Sequence, residues 1–510
     1  MTRARPDTVA FPNGRAIELA AVPTLEPDGF GNAVLEAVAG GQRVAAMFAA
    51  AGADERSTSL YAVLAHDVEN SLSATRTEIA GDSFPSLASQ CPQVQLFERE
   101  IAEQFGLRPV GHPWFKPVRY HRSVTGRDAW GRAPQQPLVP GVTDFYRVEG
   151  SEIHEVAVGP VHAGVIEPGH FRFQCHGERV FHLEIALGYQ HRGVEQAMID
   201  GPHSRSIHYA ETAAGDTTIA HATAYCQIVE ALARCQKTPR AQTLRGVALE
   251  LERLANHVGD LGALAGDVGF LPTASYCGRI RGDFLNLTGL MCGSRFGRGM
   301  VRPGGVGFDV DAGRTTELLH RLDAAERDTA VAVELLWDTP SVMARFEGIA
   351  ALPRAVAAEL GMVGPAARAS GLARDARQDQ PSGIFRFAQI PVSTYGSGDV
   401  FARAYLRWLE IQQSMEFLRD QLRALPPGDS RVPVGELAPN RLAVAIDEGW
   451  RGEVCHVAIT DSRGRFRRYK IVDPSFHNWG GLAHAMRGQQ ISDFPVCNKS
   501  FNLSYCGHDL

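Results

Sequence analysis

Residues 238–267 have the sequence TPRAQTLRGVALELERLANHVGDLGALAGD. Apolar residues recur in it at the i, i+3, i+4, i+7 spacing that places side chains on one helix face, from Leu244 to Leu261. Thr238 and Pro239 suit the N-cap and the first helical position. The stretch predicts a long amphipathic helix. Similar patterns over 314–337 and 399–425 predict that the carboxyl-terminal part of the chain is mainly helical.

The first 120 residues have a different pattern, typical of a small α/β unit. Arg43–Ala50 and Ser59–His66 are apolar runs of strand length, and Ser71–Ile79 alternates as a strand with one exposed face would. Pro92–Leu107 then predicts a helix that Gly106 ends. The whole chain is therefore expected to be α+β.

Glycine and proline punctuate residues 122–142 without any periodicity, which is typical of a linker. This divides the chain into a unit over 1–121, a linker over 122–150 and a larger, mainly helical domain over 151–510. Small sheets are expected at both ends of the larger domain, with strands at Glu155–Val165, Phe171–Cys175, Val180–Ala186, Glu453–Thr460 and Phe466–Val472.

Composition excludes several classes of protein. The chain has 510 residues and a formal net charge of −6, with no long Lys/Arg block, so nucleic acid is not an expected partner. No run approaches 18 apolar residues, so no segment is expected to cross a bilayer. The amino terminus lacks the apolar region of a secretion signal, and nine sparse cysteines suggest reduced thiols. We expect a cytoplasmic location.

Titratable residues concentrate beside glycine-rich backbone in Gly159–His162, Glu167–Phe173 and Tyr189–Glu195. On the predicted long helix, Arg253 and His257 are i, i+4 neighbours and share a face. Taken singly, such residues are more often structural than functional. Their density nevertheless predicts a buried polar site.

Motifs in the same order as these segments make the chain resemble a known family. It is similar to the large subunit of energy-converting [NiFe] hydrogenases of the formate hydrogenlyase type, and to the C and D subunits of NADH-quinone oxidoreductase. The part that resembles the C-type protein carries Phe97–Ile101 and Gly111-His112-Pro113. The rest carries the matching motifs His191-Arg192-Gly193, Glu252–His257, Gly293–Phe296, Arg302–Gly305, Gly398–Arg403, Pro474–Asn478 and Gly488–Asp493.

The resemblance also shows where this chain departs from the hydrogenases. A nickel-iron centre is held by four thiolates from two C-x-x-C pairs. The matching positions here are Ala214, Thr217, Ser504 and Gly507, none of which carries a thiol. The resemblance therefore implies a nickel-free member without hydrogen chemistry.

A different metal site remains a formal alternative near the carboxyl end. Cys497, Cys506, His508 and Asp509 are metal-ligating residue types, but their spacing matches no closed site. We favour a packed tail with free thiols.

The resemblance assigns site residues as well. Glu167 matches the proton-relay glutamate of the hydrogenases, and Arg451 matches the arginine beside the iron's diatomic ligands. His170 matches the histidine that holds the quinone head group in the D-type oxidoreductase protein, whereas Gly215 stands near the place of the expected tyrosine. Arg192, next to His191, and His257 match residues that lie against an iron–sulfur cluster of a neighbouring small subunit.

The resemblance thus implies a subunit that passes electrons from a partner's iron–sulfur cluster to an acceptor such as quinone. It would carry no cluster of its own, and it would lie peripherally on the inner face of the cell membrane through antiporter-like partner subunits. A redox-inactive scaffold of such a complex is the alternative. No dinucleotide-binding motif is visible, so the sequence does not indicate whether NADH is used.

Overall fold

The computed structural model describes residues 7–52, 57–162 and 166–510. The strand expected over Glu155–Val165 is too long, because the observed strand ends at Val158; residues 163–165 lie outside the described range. The strands are β1 Val9–Phe11, β2 Ala16–Glu18, β3 Thr24–Leu25, β4 Arg43–Ala51, β5 Thr58–His66, β6 Ser71–Ile79, β7 Ser83–Pro85, β8 Arg108–Val110, β9 Ile153–Val158, β10 His170–His176, β11 Arg179–Ala186, β12 Val301–Arg302, β13 Gly305–Val306, β14 Arg441–Gly449, β15 Gly452–Thr460 and β16 Phe466–Val472.

The α-helices are α1 Pro27–Ala39, α2 Gln95–Phe105, α3 Val194–Ala197, α4 Ser206–Glu211, α5 Thr218–Leu232, α6 Pro239–Asp267, α7 Leu271–Cys292, α8 Ala312–Trp337, α9 Pro340–Phe346, α10 Arg354–Glu359, α11 Gly364–Ala369, α12 Ala376–Asp379, α13 Val400–Arg423, α14 Pro474–Ala485, α15 Phe494–Phe501 and α16 Tyr505–Asp509. Short 3-10 helices cover Leu19–Ala21, Pro92–Val94, Gly383–Arg386 and Ile491–Asp493.

The amino-terminal unit is built on a sheet in the order β1-β6-β5-β4, with β3 parallel to β6. α2 ends where Gly106 adopts a left-handed φ of 69°, as the sequence predicts. The alternation of Ser71–Ile79 is misleading, because the hydroxyl residues Ser73, Thr75 and Thr77 are buried rather than exposed. Leu72 and Ala74, which alternate with them, are buried too, so both faces of this strand are covered.

A second sheet, in the order β16-β15-β14-β2, joins the two halves of the chain. β2 comes from the amino-terminal end and pairs antiparallel with β14. Apolar residues of this sheet and of α14 share a hydrophobic core with the amino-terminal sheet: Leu442, Val444, Ile446, Cys455, Val457, Ile459, Val472 and Phe476. The boundary expected at residue 121 therefore separates stretches of sequence but not hydrophobic cores.

The carboxyl-terminal half is organised around α6, which confirms the helix expected from residues 238–267. The Thr238 side chain accepts a hydrogen bond from the Ala241 amide and caps its start. α5, α7 and α13 pack against α6. In the part of the chain that the structure describes, no helix is long and apolar enough to cross a membrane.

Candidate functional site

A cavity of about 560 Å³ opens between the turn before β10, the segment before α5, and the carboxyl-terminal helices α15 and α16. We call it the site cavity. Its walls combine apolar and polar side chains and backbone from these separated segments: Val158, His162, Ile166, Glu167, Gly215, Asp216, Asp267, Arg451, Phe494, Pro495, Asn498, Lys499, Asn502, Leu503, Ser504, Tyr505 and Cys506. Both Glu167 and Arg451, which the sequence singled out, line it.

Arg451 does not offer a free cation to this cavity, because Asp216 already pairs with it. The Nη2 atom of Arg451 lies 2.8 Å from Oδ2 of Asp216, and Nη1 donates to Oδ1. Burial works against the charged form of Arg451, but Asp216 outweighs it and raises the pKa of the guanidinium above its ordinary value. The Trp450 ring lies 3.9 Å from the guanidinium carbon. Arg451 is thus held rigidly and its charge is neutralised.

The four residues that the sequence resemblance matches to hydrogenase thiolates have no side chain that fits a nickel-iron centre. Ala214 offers a buried methyl group, and the Thr217 hydroxyl lies 3.3 Å from both Asp216 and Arg451. The Ser504 hydroxyl accepts a hydrogen bond of 2.9 Å from the Gly507 amide and caps α16. These groups supply no thiolate. Among the described residues, no cluster of three or more His, Cys, Asp or Glu side chains is arranged to hold a metal ion.

The thiol nearest to these positions is Cys506, which faces Glu167. Burial, reinforced by Glu167, raises the pKa of Cys506 to about 11, so its thiol stays protonated at neutral pH. Burial likewise raises the pKa of Cys497 to about 12. His508 and Asp509 bond to each other at 2.9 Å, and Asp509 also accepts hydrogen bonds from the amides of Gly188 and Gln190. The tail is packed, with protonated thiols, in the described structure.

His170 lies at the start of β10 but does not line the site cavity. Its Nδ1 atom is 3.2 Å from the Gly159 carbonyl oxygen and its ring packs 5.2 Å from that of Phe145. His162 lines the cavity instead, with Nε2 3.1 Å from the Gly169 carbonyl oxygen. The structure therefore places Glu167 and Arg451 at the wall of one cavity. His170, which we expected beside them, does not line it.

Arg253 and His257 share a buried face of α6, as their spacing predicts. His257 Nε2 is 2.9 Å from Glu410 Oε2, and Arg253 Nη1 is 3.7 Å from the same oxygen. Burial lowers the pKa of His257 despite the opposing effect of Glu410. The His257 side chain is fully buried, so it reaches no surface of this chain.

Arg192 is exposed and lies between α16 and the segment before α5. Its guanidinium donates to the carbonyl oxygens of Thr212, Ala213 and Cys506 at 2.6, 2.8 and 3.1 Å. His191 stacks on His121, with ring centroids 4.5 Å apart. Arg192 thus joins the start of α16 to the segment before α5, at a surface that a partner subunit can reach.

Several cavity residues were not predicted from the sequence. The most important of them is Asp216. Its position between Ala214 and Thr217 was a usable signal for a partner of Arg451, because a carboxylate there faces this arginine. His162 belongs to one of the dense motifs. Asp267 and Lys499 had no local signal; burial raises the pKa of Asp267, while Lys499 acts in the opposite direction.

Two family models match the chain. Residues 27–138 match the 30 kDa subunit of the respiratory-chain NADH dehydrogenase, and residues 267–441 match its 49 kDa subunit.

Individual relatives give the same assignment. The carbon monoxide-induced hydrogenase of Rhodospirillum rubrum is 31% identical over 350 residues, which cover 68% of this chain and 97% of the relative. Formate hydrogenlyase subunit 5 of Escherichia coli is 29% identical over 441 residues, or 83% of this chain and 76% of the relative. The D-type NADH-quinone oxidoreductase protein of Deinococcus radiodurans is 30% identical over 370 residues, covering 67% and 92%.

Proposed function

The chain belongs to the family that unites the 49 kDa subunit of respiratory NADH dehydrogenase with membrane-bound hydrogenase subunits, with a 30 kDa-like unit ahead of it, and from this we propose its role. It is the acceptor-binding subunit of a membrane-associated oxidoreductase complex. Electrons come from an iron–sulfur cluster of a neighbouring small subunit. A quinone-type acceptor binds in the site cavity, and antiporter-like subunits hold the complex at the inner face of the membrane.

One observation carries this proposal: the site cavity combines apolar walls with a few polar groups. Its volume of about 560 Å³ falls within the usual range for small-molecule sites, roughly 300–1,000 Å³. Val158, Ile166 and Leu503 provide apolar surface for a ring. Glu167 and Lys499 provide a carboxylate and an ammonium beside it.

These side chains support the chemistry of such an acceptor. Reduction of a quinone to a quinol takes two electrons and two protons. Lys499 is placed to donate a hydrogen bond to a carbonyl oxygen in the cavity and to stabilise negative charge there. Glu167 accepts a hydrogen bond of 3.3 Å from the Tyr505 amide, which orients its carboxylate at the cavity wall for proton transfer.

The exposed guanidinium of Arg192 supports the position of the electron donor. A cation near cluster sulfurs raises the reduction potential of the cluster. Arg192 is fixed by three carbonyl oxygens at the surface of this chain. His257 is buried and acts on a partner's cluster only through the protein around it.

The nickel-free state is part of the proposal and has its own test. Elemental analysis of the purified complex should find iron, carried by the partner, and no nickel. Nickel near one atom per chain would overturn the assignment of Ala214, Thr217, Ser504 and Gly507.

A redox-inactive scaffold is the second candidate, and two observations favour it. The Arg451 charge is neutralised by Asp216, and His170 lies outside the cavity. A scaffold of this kind assembles the complex without binding an acceptor.

One assay separates the two candidates. The purified complex is given reduced methyl viologen as donor and decylubiquinone as acceptor. Acceptor binding predicts turnover in the wild type and a loss of about a hundredfold in Glu167→Gln. Glu178→Gln, in the exposed turn between β10 and β11, is the control and should retain full turnover. Equal rates in both variants, or no turnover in an intact complex, would favour the scaffold.

A further inference from the structure

Four buried side chains form an unbroken hydrogen-bonded chain behind the site cavity. The Tyr469 hydroxyl lies 2.8 Å from His456 Nδ1, and His456 Nε2 lies 3.0 Å from His221 Nδ1. His221 Nε2 then lies 3.1 Å from Oδ2 of Asp473. None of the four side chains is exposed to solvent.

For neutral imidazole rings, the Asp473 carboxylate sets the tautomers of both histidines. The carboxylate only accepts, so the proton of a neutral His221 is on Nε2 and its Nδ1 accepts. His456 must then donate from Nε2 and accept at Nδ1 from the Tyr469 hydroxyl. Every donor points toward Asp473, which gives the chain one direction.

The surroundings set the charge states of the other three groups. Burial lowers the pKa of His456 far below its ordinary range, so the ring is neutral. Burial raises the pKa of Tyr469 and keeps its phenol protonated. Burial raises the pKa of Asp473, but the hydrogen bond from His221 and the charge of Arg451 act in the opposite direction, and the net shift is downward, so the carboxylate is ionised. Glu195 and Arg451 are the nearest further charges acting on the chain.

The inner end of the chain lies behind the wall of the site cavity, next to residues that line it. Asp473 touches Gly507, because a methyl group added at Gly507 would lie 2.6 Å from its carboxylate. Ser475 links this point to the cavity: its amide donates to Asp473, and its hydroxyl accepts a hydrogen bond from the amide of Ser504.

The outer end approaches a second cavity, of about 680 Å³, which we call the surface cavity. Tyr225 lines it, and the ring centroid of Tyr225 is 6.3 Å from that of Tyr469. Ser206 contacts Tyr225, and its hydroxyl is 3.2 Å from Nδ1 of the exposed His203, which also lines the surface cavity. Hydroxyl and imidazole groups thus extend from solvent to Asp473, with one wider step between the two tyrosines.

We propose that this chain conducts protons from the surface cavity toward the site cavity, through Tyr469, His456 and His221 to Asp473. In one transfer the Tyr469 hydroxyl proton moves to His456 Nδ1, the Nε2 proton of His456 moves to His221 Nδ1, and the Nε2 proton of His221 moves to Asp473. One proton leaves Tyr469 and one arrives at Asp473. A proton from the Tyr225 side restores the phenol, through a bridging water or a small ring movement.

The alternative is a closed structural network that satisfies buried polar groups and moves no proton. Hydrogen exchange separates the two, because a conducting chain links a fully buried N–H to solvent without unfolding. The experiment uses the full-length protein labelled with ¹⁵N-histidine, and it requires no turnover. Resonances of His221 and His456 are assigned with the variants His221→Asn and His456→Asn.

The first readout is the tautomer. Conduction toward Asp473 requires both rings to be neutral and protonated at Nε2 at pH 7. A proton on Nδ1 of either ring, or a charged ring, would overturn the proposal.

The second readout is the exchange of the His221 Nε2 proton into D₂O. Tyr469→Phe keeps the ring but removes the donor, so it should slow this exchange by about tenfold or more. Tyr405→Phe, within the aromatic group around Trp337, is the matched control and should leave the rate unchanged. Equal exchange rates in the wild type and Tyr469→Phe, with unchanged unfolding midpoints, would show that the network is only structural.

Discussion

The guanidinium of Arg451 and the carboxylate of Asp216 form a bidentate ion pair at the wall of the site cavity, with Nη2 and Oδ2 2.8 Å apart. Asp216 lies between Ala214 and Thr217, two positions that the sequence resemblance matched to hydrogenase thiolates. A protein carboxylate therefore balances the charge of the arginine. Because of this pair, Arg451 offers no free guanidinium to an anionic molecule in the cavity.

Asp216→Asn should make the site cavity bind small anions. The variant keeps the size of the side chain but leaves the Arg451 charge unbalanced, so formate or bicarbonate becomes the available counterion. Isothermal titration should detect formate binding in Asp216→Asn and none in the wild type. We expect the variant to lose about 1–3 kcal/mol of unfolding free energy, part of which saturating formate restores. Equal formate binding by the two proteins would contradict this role of the ion pair.

Glu252→Gln should change how stability depends on pH. Burial raises the pKa of Glu252 from about 4.5 to about 8, although the amides of Ile219 and Ala220 donate to its carboxylate. The folded protein therefore holds a proton that the unfolded chain loses, and this contribution to stability falls as pH rises from about 4.5 to 8.

The glutamine variant lacks this titration. Its unfolding free energy relative to the wild type should rise by about 3 kcal/mol between pH 5 and pH 8, measured by urea denaturation at each pH. Glu178→Gln is the exposed control and should show a difference that does not vary with pH. A constant difference for Glu252→Gln as well would mean that Glu252 is ionised in the folded state.

Arg119→Ala should loosen the contact between the amino-terminal unit and the carboxyl-terminal tail. Arg119 pairs with Glu100, and its Nε and Nη2 atoms donate to the His508 carbonyl oxygen at 2.9 and 2.7 Å. These groups are buried. Truncation of Arg119 leaves Lys470 as the cation that pairs with Glu100, and it removes both hydrogen bonds to the tail. We expect a loss of about 3 kcal/mol in unfolding free energy.

The control for this prediction is Arg122→Ala, an exposed arginine three residues along the chain. Its loss should change unfolding free energy by less than about 0.5 kcal/mol. Limited proteolysis of the tail provides a second measurement, since Arg119→Ala should expose the segment after α15. Similar unfolding curves for the two variants would show that the tail is held by other contacts.

Local sequence patterns predicted the helices and strands well, because caps and apolar periodicity depend on neighbouring residues. The capping threonine and the apolar periodicity of α6, and the glycine that ends α2, act through neighbouring residues. The pairing of β2 with β14 joins residues more than 400 positions apart, and no local pattern encodes it. For the same reason the burial of Ser73, Thr75 and Thr77 was not visible in an alternating strand.

The residues of the candidate site were likewise predicted only in part. The resemblance placed Glu167 and Arg451 in one cavity, because both belong to motifs that match the family. It did not identify Asp216 as the partner of Arg451, although the position of this carboxylate between Ala214 and Thr217 was a usable signal. The buried chain from Tyr469 to Asp473 joins residues from three separate segments, so only the folded structure brings them together.

Gly507→Ala should be destabilising, because a methyl group at this position would meet a buried carboxylate. A methyl group at Gly507 would lie 2.6 Å from the Asp473 carboxylate, which is itself bonded to His221 and to the Ser475 amide. The clash should cost about 1–3 kcal/mol of unfolding free energy. Gly278→Ala, at an exposed position of α7 with open space around it, is the control and should stabilise the protein by up to about 1 kcal/mol. In Gly507→Ala/Asp473→Ala the two costs should be less than additive, because the second change removes the atoms that the methyl group meets. Full additivity would show that Gly507 and Asp473 are independent, and that a side chain at position 507 is tolerated without moving the carboxylate.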